Sequence, residues 1–152
     1  MTQAGAGLVG ETWRREVEDA LAVLPGLLAK LDALSLGQRQ VIDADDAEAL
    51  SALVEDRARV LDALTSCLAG LERRRPEWSG RGADRERVQA AIDETAAVAN
   101  GVAARDREDT ARMRIRRDDL ARRLSGLGAA RQAAGAYAGA AAGGPRFQDR
   151  EG

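Results

Sequence analysis

Apolar residues return at intervals of four and three along most of this chain. Val17, Leu21, Leu24, Leu28 and Leu31 form one series. Leu50, Val54, Leu61, Leu64, Leu68 and Leu71 form a second, in which Arg57 is the only polar member. This spacing puts side chains on one narrow side of an α-helix and suits helices packed along their lengths. A half-buried strand would alternate by two instead. The expected fold is all-α, an antiparallel three-helix bundle or coiled-coil hairpin with a long third helix and a flexible C-terminal tail.

Composition agrees and narrows the chemistry. Alanine, leucine, arginine and glutamate are strong helix formers and dominate the chain. Histidine is absent, which removes the commonest general base and metal ligand. The single cysteine, Cys67, cannot build a disulfide framework and reads as a small buried hydrophobe. With 23 basic against 25 acidic residues, the chain lacks the excess of a nucleic-acid binder. No uninterrupted apolar run approaches the ~20 residues of a membrane span, and no secretory h-region is visible. No phosphate-binding loop, dinucleotide motif or metal-ligand cluster is present. A cytoplasmic protein is expected, without enzyme activity, catalytic residue, cofactor, metal, small-molecule substrate or stable membrane insertion.

The boundaries follow from local signals. Residues 1–10 are small and glycine-rich and read as a disordered N-terminus. Residues 11–137 read as one helical domain and 138–152 as a flexible tail. The first helix continues in phase across Pro25, so a kink is expected there rather than a break. Its seam then runs into Ser35, Gln38 and Ile42. Asp45, three residues before Glu48, resembles a capping box that starts the second helix. Arg73, Arg74 and Arg75 close it, and Pro76 with Trp78-Ser79-Gly80 makes the next turn. The core then contains almost no aromatic area. Asp84 is placed to cap the third helix. Val88, Ala91, Ile92, Thr95, Val98, Ala99, Val102, Met113, Leu120, Leu124 and Leu127 fall within about 60° of one direction on a helical wheel. That phase persists across Asn100-Gly101, so one helix is expected over roughly 84–127.

Short turns make the three helices antiparallel neighbours and bring polar seam residues to one level. Gln38 falls level with Leu50, Leu50 with Asp109, and Arg57 within a turn of Asp106. Ser35, Gln38, Arg57, Asp106 and Asp109 then form a structural polar layer. A carboxylate pair beside an arginine is held ionised, which suits register better than catalysis. The densely charged segment 105–119 alternates in sign and reads as a solvated face.

The same register leaves Leu120, Leu124 and Leu127 without a partner in the hairpin. Met113 shares their face. An exposed leucine stripe marks an interaction site. Its occupant is a client helix, a fold-back of residues 129–137, or a second copy in a homodimer.

The order of these elements resembles the FlgN-type flagellar export chaperones. The resemblance rests on Leu27-Leu28-Ala29-Lys30-Leu31 through Gln38-Arg39-Gln40-Val41-Ile42, on the acidic turn Asp43-Ala44-Asp45-Asp46, and on Leu50 with Leu53-Val54-Glu55-Asp56-Arg57-Ala58-Arg59-Val60-Leu61-Asp62-Ala63-Leu64. It extends to Arg116-Arg117-Asp118-Asp119-Leu120-Ala121 and the small-residue segment with Ala136-Tyr137. The resemblance implies a non-enzymatic cytoplasmic chaperone. Such a protein binds a helical terminus of hook-associated, hook–filament junction proteins and delivers them to the flagellar type III export apparatus. The shared face and the register place the client-binding site at Met113, Leu120, Leu124 and Leu127, and the resemblance further implies docking to the export gate through Tyr137. Two other readings fit parts of the chain. One is a generic coiled-coil scaffold or adaptor. The other, suggested by Trp78-Ser79-Gly80, is a secreted helical hairpin of the ESX type with a W-x-G turn.

Overall fold

A computed structural model describes residues 4–80 and 82–143. They form four helices: α1 (Ala4–Asp43), α2 (Ala47–Arg73), the short α3 (Arg75–Trp78) and α4 (Gly82–Ala142), with no strand among the described residues. The chain divides into two units, Met1–Thr110 and Ala111–Gly152. The domain expected over 11–137 spans both.

The first unit packs α1, α2, α3 and the part of α4 up to Thr110. α1 and α2 are antiparallel, joined by a turn of three residues. Asp46 donates its N–H to the Val41 carbonyl at 3.3 Å, and Asp45 donates to Ile42 at 3.1 Å. These two bonds close α1 in a Schellman arrangement. Its left-handed position is filled by Asp45, at φ 58°, where glycine is usual. Asp46 then caps α2, its side chain accepting from the Ala49 N–H at 2.9 Å. The cap is therefore one residue later than the Asp45–Glu48 pattern suggests, because Asp45 is consumed in ending α1.

The core has two clusters. Leu24, Leu28 and Leu31 of α1 meet Val60 and Leu64 of α2 and Val102 of α4. Trp13 and Val17 of α1 meet Leu71, Trp78 and Val88. The expectation of almost no aromatic area in the core fails at this second cluster. Pro76 opens α3, which folds Trp78 inward until it is 2% exposed, and its Nε1 donates to the Leu71 carbonyl at 2.8 Å.

α1 buries the seam its spacing marks, from Val17 through Ser35, Gln38 and Ile42, with Pro25 inside an unbroken helix. α2 is turned from expectation by about half a helical step. Val60, Leu64 and Leu71 are buried while Val54 and Leu61 are exposed. Leu53, Arg57, Val60, Leu64, Cys67 and Leu71 also repeat by four and three. α2 must cover both α1 and α4, and this second series faces both.

Three further differences concern helix ends. Residues 4–10 are helical, although glycine-rich. α4 starts at Gly82, so Asp84 sits in its first turn rather than at its cap. α4 also passes through Asn100-Gly101 and continues to Ala142, where alanines extend a helix already nucleated. Residues 138–142, expected in the tail, are therefore helical, and 144–152 lie outside the described residues.

Within Gly10–Asp43, α1 contains an 18-residue stretch of mean hydropathy 1.5, long and apolar enough by those measures to cross a membrane. Lys30 and Asp32 interrupt every apolar run there, which hid the average behind them. In the fold, Leu24, Leu28 and Leu31 of this stretch are buried against other helices.

Candidate helix-docking site and a structural polar layer

Each side chain of the polar layer comes from a core-facing position of its helix. Gln38 and Ser35 continue the α1 seam, Arg57 belongs to the buried series of α2, and Asp106 and Asp109 lie three apart on α4. The structure joins Gln38, Arg57, Asp106 and Asp109 in one network, while Ser35, buried one turn away on α1, accepts from Arg105. Gln38 Nε2 donates to Asp109 Oδ2 at 3.0 Å, and Arg57 Nη1 donates to Gln38 Oε1 at 3.1 Å. Both Arg57 nitrogens donate to the Asp106 carboxylate. Asp109 is 1% exposed. A carboxylate so deep is costly unless it is hydrogen-bonded and paired. Arg39 supplies the cation, its Nε donating to Asp109 Oδ1 at 3.2 Å.

The layer is larger than its sequence signature. Arg39 also pairs with Glu108. Arg105 donates through Nε to Ser35 Oγ at 3.0 Å and pairs with Asp32. The signal was present in spacing: Asp32, Ser35 and Arg39 lie three and four apart, and Arg105 and Asp109 lie four apart. It was masked because segment 105–119 reads as solvated. Its first five residues include Asp109, which is buried, and Arg105 and Asp106, which are half-buried.

The electrostatics oppose acid–base work. The hydrogen bonds from Arg57 hold the Asp106 carboxyl below the usual aspartate range, against the opposing effect of its partial burial. The same pair raises the arginine, so both partners stay charged. Cys67, on α2, donates weakly to the Ala20 carbonyl at 3.4 Å, and burial pushes its thiol up, away from the reactive thiolate. No group of three or more histidine, cysteine, aspartate or glutamate residues among the described ones could hold a metal ion.

The second unit presents a different surface. Met113, Leu120, Leu124 and Leu127 are all exposed on α4, Leu124 at 66%. At 100° per residue they fall within about 40° of one line, the narrow width of a coiled-coil seam. Tyr137 is 82% exposed and lies off that line. Ile115, which the sequence reading passed over, is also exposed, on the opposite side of the helix.

Comparison with protein-family models, with curated proteins and with solved structures gives no match to the chain.

Proposed function

We propose that this chain is a non-enzymatic helical chaperone that receives an amphipathic helix of another protein on the stripe Met113, Leu120, Leu124 and Leu127. The observation that carries the reading is the exposure of these four side chains in one line on α4. A leucine row of this width is what a partner helix covers in helix-in-groove recognition. Burying three or four such side chains yields about 6–8 kcal/mol gross. Loss of motional freedom and ordering of the client consume much of that, leaving affinity in the micromolar range. Such affinity suits a protein that must release its cargo.

The order of helices, the acidic turn and Tyr137 support the narrower assignment to FlgN-type flagellar export chaperones. On that reading the client is the helical terminus of a hook-associated protein, the compartment is the cytoplasm, and Tyr137 docks at the export gate. The polar layer keeps the first unit aligned and takes no part in binding.

Co-expression with hook-associated proteins, followed by size-exclusion chromatography, tests it. A soluble complex is expected from the native chain and none from the double variant Leu120→Ala with Leu124→Ala. Helix content by circular dichroism is expected to be unchanged in that variant. Tyr137→Ala is expected to keep the complex and impair export. A complex that survives loss of both leucines, or a variant that unfolds, overturns the assignment of the stripe.

A further inference from the structure

Charge is distributed very unevenly along the chain. Residues 1–110 carry 21 acidic against 14 basic side chains, whereas residues 111–143 carry seven arginines against two aspartates. The near-neutral total conceals this. Within 111–143 the charges are also sorted by face. Taking Met113 as the reference direction, Arg117 lies about 40° away, at the edge of the stripe itself, Arg123 lies about 80° to the other side, and Arg131 is in line with it. Asp118 and Asp119 lie more than about 100° away, on the far side. There they are already engaged, Asp118 with Arg117 at 3.1 Å and Asp119 with Arg122 at 2.8 Å. Arg123 and Arg131 form no ion pair among the described residues and are exposed.

We propose that this face selects an acidic amphipathic helix, one whose leucine seam is flanked by glutamate or aspartate. The proposal rests on the docking reading above and adds the chemistry of the partner. In paired helices the residues flanking the seam meet their counterparts across the interface and set partner choice. Arg123 and Arg131, exposed and without a carboxylate of their own chain among the described residues, are completed by carboxylates of a partner and repelled by its cations. A second copy is the wrong occupant, because pairing two such stripes sets the unpaired Arg123 and Arg131 of one copy against arginines of the other. An anionic lipid surface satisfies the arginines too. The apolar strip is narrower than the broad face that surface-lying helices bury, and it contains no aromatic residue.

The test uses the full chain and two synthetic helices with the same leucine seam, one flanked by glutamate and one by lysine. Fluorescence anisotropy is expected to show the glutamate peptide binding about tenfold tighter or more at low ionic strength, a gap that narrows near ~0.5 M salt. The double variant Arg123→Glu with Arg131→Glu is expected to remove the preference while keeping its helix content. Equal binding of both peptides overturns the charge selection and leaves the docking reading standing. Binding of neither peptide, with binding to phosphatidylserine vesicles, overturns both in favour of a membrane-surface role. A dimer in sedimentation that Leu120→Ala dissolves overturns both in favour of self-pairing.

Discussion

Arg57 on α2 grips Asp106 on α4 with both guanidinium nitrogens, Nη1 lying 2.8 Å from Oδ1, across 49 positions of sequence. This is the strongest geometry available to an arginine and a carboxylate. It also ties α2 to α4 beside the cluster in which Val60 and Leu64 meet Val102.

Arg57→Met is therefore expected to destabilise the chain by about 1–2 kcal/mol, less than for a fully buried pair because both partners keep some solvent. Asp106 and Gln38 each lose a donor. The double variant Arg57→Met with Asp106→Leu is expected to recover much of the loss. Urea titrations of the three variants check both expectations. A single variant as stable as the native chain refutes the first.

The depressed Asp106 carboxyl gives a pH dependence of definite sign. In the unfolded chain an aspartate takes up its proton near pH ~3.9, whereas Asp106 in the fold does so at lower pH. Stability from this group is present above about pH 5 and is lost as pH falls toward and through the folded value. Thermal melts between about pH 6 and pH 3 are expected to show a smaller decline in Asp106→Asn than in the native chain.

Asp46 is expected to be worth about 1 kcal/mol as the cap of α2. Asp46→Ala leaves the Ala49 N–H without its acceptor, while Asp46→Ser keeps one. The alanine variant is expected to melt several degrees below the serine variant, as thermal unfolding followed by circular dichroism will show.

Trp78 carries much of the lower cluster with Trp13. Trp78→Phe keeps an aromatic ring but loses the bond to the Leu71 carbonyl, costing about 1 kcal/mol. Trp78→Ala empties the site and is expected to cost about 3–5 kcal/mol, enough to unfold a small bundle. Native tryptophan emission is expected to be blue-shifted and to move red on unfolding, because both rings are buried.

The α1 seam was legible because its alternatives differ little. Val17, Leu24, Leu31 and Gln38 also belong to a four-three series through Ala20, Leu27 and Leu34, and those three are partly buried beside the seam. α2 offers two overlapping series that share Arg57, Leu64 and Leu71, and nothing local says which side α4 will take. Trp78 follows a proline and precedes a glycine, which reads as a turn. Its burial comes from α3, a four-residue helix too short to leave a periodic signal. In the polar layer, level-matching across short turns brought Gln38, Arg57, Asp106 and Asp109 together. Arg39 and Arg105 escaped because a long side chain reaches inward from a position that looks exposed on a wheel.

A division of labour in the first unit bears on how such a chain can change over generations. Leucine and valine seams are interchangeable along their length, so adhesion alone would let one helix slide a heptad past another. A slip of that size would strand Asp109 in an apolar setting, away from Gln38 and Arg39. Alignment is thus written in a handful of polar side chains, and adhesion in many replaceable ones. The hydrophobic positions can exchange leucine for valine, isoleucine or methionine at little cost. Descendants of one ancestral bundle can therefore drift far apart in sequence and still close in the same register.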